Sequence, residues 1–136
     1  MQKIFLIEDN PDHALLIRRG ISESGFDVVH YSDGFQFLDF LRKDPAASEL
    51  PVFVLLDLKL PGMDGFDILR ELRAHPKFRL TPVVILTTSK YQQEINQAYE
   101  LGASGFVTKS EEFPELLAKL SRVKDYWLKT VELPQA

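Results

Sequence analysis

A chain of 136 residues with 45% hydrophobic content is long enough for one ordinary core, and its lack of cysteine excludes disulfides, thiolate metal sites and thiol chemistry. With 16 basic and 20 acidic residues the net charge is -4 and no basic stripe stands out, which argues against nucleic acid as a direct partner. No apolar run approaches the ~20 residues that span a bilayer, and no signal-peptide pattern opens the chain, so a cytoplasmic protein without membrane association is expected.

Apolar, β-branched runs alternate with helical patterns along the chain. Residues 4–7 read as a first buried strand that stops at Glu8 and Asp9. Asn10 then fits an N-cap with Pro11 at the first helical position; Ala14, Ile17 and Ile21 recur at helical spacing, and a stop is expected near Gly25. Residues 28–31 form a second strand, and Asp33-Gly34 opens a helix carrying Phe37, Leu38 and Leu41. Residues 52–56 form a third strand ending at Asp57, and Pro61-Gly62-Met63-Asp64-Gly65 leads into a helix capped by Asp64. A fourth strand, 83–86, ends at Thr87; Thr87, Thr88 and Ser89 are N-cap candidates for a helix over about 92–101 that Gly102 closes. Phe106 and Val107 mark a fifth strand before Lys109. The last and longest helix begins around 111–114, with Phe113, Leu116, Leu120, Val123 and Trp127 at steps of three and four. Only residues 130–136 follow it and no linker or repeat appears, so one domain over 1–136 without an output domain is expected.

Right-handed crossovers turn this alternation into an α/β, doubly wound, five-stranded parallel sheet in the order 2-1-3-4-5 with five helices. Strands one and three are then neighbours, so Glu8, Asp9 and Asp57 meet where the winding reverses, with Thr87 and Lys109 beside them. Taken singly, Glu8 and Asp9 are acids before a helix start, Asp57 is a turn residue and Lys109 a solvated charge. Their convergence on one rim sets them apart. An acidic pocket of this kind invites a hard divalent cation, beside which Asp57 can act as a nucleophile toward a phosphoryl group. His13, His30 and His75 group neither with one another nor with a nucleophile, and are read as surface or packing residues; Asp12 is read as first-turn helix charge.

The acidic pair in LIEDN, the aspartate in LLDLKLPGMDG, the hydroxyl in VVILTTS and the lysine in GFVTK together resemble the receiver domain of two-component response regulators, over essentially the whole chain. The resemblance implies a flavodoxin-like, chemotaxis-regulator-like single domain in which Asp57 accepts a phosphoryl group from the phosphohistidine of a sensor histidine kinase. Mg²⁺ would be held by Asp9, Asp57 and the backbone carbonyl of Lys59, with Glu8 acting through water. Lys109 and Thr87 would contact phosphoryl oxygens. Thr87 and Phe106 would form the switch that alters the surface of the fourth helix, fifth strand and last helix. Such a protein is a phosphoacceptor that catalyses its own phosphotransfer and dephosphorylation rather than an enzyme with a separate substrate. The tail Asp125-Tyr126-Trp127-Leu128 is also similar to that of small response regulators that partner bacterial phytochromes.

Three departures bear on output. Ser110 stands where most receivers carry a cis proline; a cis bond before Ser110 would cost ~2.5–4 kcal/mol, so a trans bond and a differently shaped loop are expected. Thr88 is larger than the alanine or glycine of many relatives, and Phe106 lacks the hydroxyl of the usual tyrosine. Tyr126, Trp127, Leu128, Val131 and Leu133 place large apolar groups where a small core has little left to cover them. A homodimer through the fourth helix, fifth strand and last helix is therefore expected, with a tail folded back on its own domain as the alternative. A receiver fold used as a constitutive docking module is the competing function, supported by Ser110 and Thr88. A haloacid-dehalogenase-like phosphatase would need an aspartate where Lys59 stands, and a flavodoxin-like cofactor binder would need a first loop less acidic than residues 8–12.

Overall fold

In chain order the elements are β1 (Gln2–Ile7), α1 (Pro11–Ile21), β2 (Phe26–Tyr31), α2 (Gly34–Arg42), β3 (Pro51–Leu56), β4 (Lys59–Leu60), β5 (Met63–Asp64), α3 (Gly65–Ala74), β6 (Val83–Thr87), α4 (Gln92–Glu100), β7 (Gly105–Thr108) and α5 (Phe113–Asp125). This computed structural model describes residues 1–134; Gln135 and Ala136 of the expected tail lie outside the described residues. Five strands form one parallel sheet in the order β2-β1-β3-β6-β7, as the crossover argument requires. The two-residue strands β4 and β5 make a separate antiparallel hairpin that the apolar pattern did not signal.

Alternation along each strand divides the core into two layers. Phe5 and Ile7 of β1 join Phe37, Leu38, Ile68 and Leu72 on one face, where α2 and α3 lie. Ile4 and Leu6 join Ile17, Leu116 and Leu120 on the other, beneath α1 and α5. In register, Ile7 of β1 faces Leu56 of β3 and Thr87 of β6 faces Thr108 of β7. Glu8 and Asp57 therefore leave the sheet side by side, and Lys109 leaves it one residue past the level of Thr87.

Side-chain caps mark three of the five α-helix starts. Asn10 accepts from the amides of Asp12 and His13 at 2.9 and 3.1 Å, Asp33 from Gln36 at 2.8 Å and Asp64 from Phe66 at 2.9 Å. At α4 the expectation is corrected: the N-cap is Tyr91 and no side chain caps the helix. Thr87 and Ser89 are buried at the sheet rim instead, which removes them from the helix start. Helix α1 also ends earlier than expected, at Ile21, and Gly25 with φ +88° makes the turn into β2. Gly65 is required by contact: a Cβ there would lie 2.6 Å from the carbonyl oxygen of Asp57, and its amide donates to Leu58 O at 2.9 Å. The start of α3 is thus pressed against the chain as it leaves Asp57.

Arg73 on α3 ties two distant turns. Its Nε and Nη2 donate to Gly102 O at 2.9 and 2.7 Å, and Nη1 donates to Thr81 O at 2.7 Å and Phe78 O at 3.1 Å. Burial lowers the pKa of this guanidinium, whose neighbours are backbone carbonyl dipoles.

Beyond α5 the chain makes a π-helical turn, Tyr126–Thr130. The expectation of an uncovered apolar tail holds for Tyr126, which is exposed, but not for Trp127 and Leu128, which pack against the α1–α5 layer of the protein's own core. Lys124 and Lys129 reach Glu23 at 3.5 and 3.4 Å, holding this end beside α1. Among the described residues every peptide bond is trans, including that before Ser110, and no helix is long and apolar enough to cross a membrane.

Candidate functional site

Glu8, Asp57, Thr87 and Lys109 all follow or close a strand of the sheet, and all four are buried: Glu8 is 1% exposed, Asp57 and Lys109 7%. The sheet's own ladder sets their heights. The amide of Asp57 donates to Ile7 O at 3.1 Å, that of Glu8 to Tyr31 O at 3.1 Å and that of Lys109 to Thr87 O at 2.7 Å. Four of the five expected rim residues thus lie within the protein, and Asp9 is half-buried beside them.

Ligand oxygens of Glu8, Asp9 and Asp57 lie within 4.8 Å of one another, a donor set of three carboxylates that suits a hard divalent cation. Lys109 Nζ donates to Asp57 Oδ2 at 3.0 Å and to Glu8 Oε1, so one ammonium bridges the two buried acids. The other oxygen of each acid meets a backbone amide: Lys59 N donates to Asp57 Oδ1 at 3.1 Å and Asn10 N to Glu8 Oε2 at 3.3 Å. Burial pushes the Glu8 carboxyl up from 4.5 to about 7; Lys109 opposes this and the nearby Asp57 adds to it. A second positive charge at this point would favour the ionised form of Glu8.

Of the other expected residues, Lys59 is exposed with its amide engaged by Asp57, and Phe106 is half-buried against the α2–α3 layer. Thr88 is exposed, while Ser89 is buried with a hydroxyl that finds no partner. A cavity of about 670 Å³ opens beside the rim between α1 and α5, lined by His13, Thr88, Lys109, Ser110, Phe113 and Lys119 among others.

One site residue was misjudged from the sequence. His13 is not isolated: its Nδ1 lies 3.2 Å from Lys109 Nζ and 3.8 Å from Glu8 Oε1. The overlooked signal is geometric. Side chains in the first turn of a helix lean back toward its N-terminus, and the N-terminus of α1 is at the rim. His30 also reaches the site's backbone, with Nε2 2.7 Å from the carbonyl oxygen of Glu8.

Comparison with known proteins is consistent with this geometry. The family model described as response regulator receiver domain matches residues 4–121. The response regulator Rcp1 of Synechocystis is 33% identical over 137 residues, covering 98% of this chain and 93% of that protein. A probable methanogenesis regulatory protein, FilR2, of Methanothrix harundinacea is 37% identical over 92% of this chain and 83% of its own length. Among solved structures, the phosphorylated cyanobacterial phytochrome response regulator RcpA superimposes with a TM-score of 0.89 at 33% identity, covering 98% of this chain and 99% of that one. The Mn²⁺-bound form of Rcp1 gives 0.88 at 31% identity, covering 98% of this chain and 99% of that one.

Proposed function

Since this chain belongs to the response regulator receiver domain family, we propose that it is a stand-alone receiver whose Asp57 accepts a phosphoryl group from the phosphohistidine of a sensor histidine kinase. The observation that carries the reading is the position of the Asp57 carboxylate, within ligand distance of Glu8 and Asp9 and in contact with Lys109. Transfer breaks the P–N bond of the donor and forms a P–O bond to a carboxylate oxygen of Asp57.

The carboxylates of Asp9 and Asp57 and the carbonyl of Lys59 would hold Mg²⁺, with Glu8 acting through water; the ion would neutralise charge between the carboxylate and the incoming phosphoryl oxygens. Lys109 supplies a second positive point charge already aimed at Asp57 Oδ2. Thr87, at the end of β6, can donate its hydroxyl to a phosphoryl oxygen. Drawing Thr87 inward and repacking the half-buried Phe106 would pass the change to the α4–β7–α5 surface. On the same surface Tyr91 and Tyr99 are exposed, which supports a homodimer there. A monomeric sedimentation profile at high concentration would remove the dimer. The similarity to the cyanobacterial phytochrome response regulator RcpA supports a phytochrome link and makes a phytochrome kinase the first donor to try.

The test is intact mass after incubation with acetyl phosphate, with and without Mg²⁺, on wild type and Asp57→Asn. A single Mg²⁺-dependent phosphoryl adduct, lost in the variant, is expected. A folded protein that takes no adduct alongside a competent control would instead indicate a docking module independent of phosphate.

A further inference from the structure

We propose that His13 is a positioning residue for Lys109, an inference that rests on the phosphoacceptor reading for its functional consequence but not for its geometry. An ammonium has three donors and accepts nothing. Lys109 directs one to Glu8 Oε1, one to Asp57 Oδ2 at 3.0 Å, and its third group in reach is His13 Nδ1 at 3.2 Å. Because the lysine can only donate, Nδ1 is the nitrogen that accepts, and the ring proton sits on Nε2. The alternative, an imidazolium paired with Glu8, is disfavoured by distance: 3.8 Å is beyond hydrogen-bond range, and a second cation would then sit 3.2 Å from the ammonium.

The arrangement matters because the two acids attract the ammonium from two directions and a third acceptor fixes its orientation between them. That neutral acceptor comes from α1, an element independent of the strands that carry Glu8, Asp57 and Lys109, and it stands at the edge of the cavity beside the rim. The α1 backbone holds it there, since the amide of His13 itself donates to the Asn10 cap at 3.1 Å. Lys109 is thereby held with its charge on Asp57, where the phosphoryl oxygens of the proposed reaction would arrive.

The test compares wild type, His13→Ala and His13→Asn, the last because an asparagine oxygen can occupy the place of Nδ1. Without any phosphodonor, the Lys109 ammonium is followed by ¹⁵N–¹H NMR, with assignment through Lys109→Met. Its resonance is expected to be sharp in wild type, shifted or lost in His13→Ala and recovered in His13→Asn. With acetyl phosphate and saturating Mg²⁺, the phosphorylation rate is expected to fall about fivefold in His13→Ala, the equivalent of one hydrogen bond, and most of that loss should return in His13→Asn. An ammonium resonance unchanged by His13→Ala overturns the proposal, as does an asparagine variant no better than alanine in both readouts. A wild type that takes no phosphoryl group defeats the phosphoacceptor reading alone, and the ammonium resonance then still decides the role of His13.

Discussion

The body of the sheet and most of its carboxyl rim are both buried but opposite in chemistry. Ile7 and Leu56 are fully buried, and one peptide bond further on Glu8 and Asp57 are nearly so. Along the strands, burial removes apolar surface from water and stabilises the fold. At the rim the same burial strips water from two carboxylates and an ammonium, and their attraction offsets that cost only while the set is complete. Stability and reactivity in this protein thus fall to different residues of the same strands.

The largest expected effect breaks the rim. Lys109→Met leaves Glu8 and Asp57 buried without their cation, and urea unfolding without metal should show a loss of about 3–5 kcal/mol. Saturating Mg²⁺ should return much of it. A body substitution, Leu55→Ala, should cost about 2–5 kcal/mol through the cavity it leaves, but with no dependence on Mg²⁺ or pH; a metal-sensitive loss there would mean that body and rim are coupled.

Body and rim also differ in their response to pH. The Glu8 carboxyl is raised from 4.5 to about 7, so across that window the folded protein holds a proton that the unfolded chain has released. Metal-free stability should therefore fall as pH rises from about 4.5 to about 7, by something on the order of 3 kcal/mol, and then level off. Glu8→Gln should flatten this slope, whereas Leu55→Ala should leave it intact. The smallest effect lies outside both regions: Asp64→Ala removes the amide acceptor at the start of α3 and should cost about 1 kcal/mol by thermal unfolding.

Much of this division was legible in the sequence. Apolar runs that stop at an acid, a hydroxyl or a lysine reveal both the strand and its end, and the crossover rule then brings Glu8, Asp57, Thr87 and Lys109 to one rim. Contacts set by a helix's rotation were less accessible. His13 reads as a polar residue on an amphipathic helix, and only the tilt of its side chain toward the N-terminus places it against Lys109. The hydroxyls of Thr87 and Ser89 resemble caps in sequence because composition does not distinguish a hydroxyl turned into a rim from one turned toward a helix. Trp127 continues the three-and-four spacing of α5 and packs with it on the core, so the apolar stripe was a better guide to its burial than its position near the end of the chain.

The Arg73 clamp has a mechanical consequence. Through Gly102 it fastens the C-terminal end of α4, while the opposite end starts at Tyr91 without a side-chain cap. The two ends of α4 are therefore held unequally, Gly102 by a guanidinium and Tyr91 by helix amides alone, so a displacement of the loop after Thr87 would enter the helix at its less restrained end.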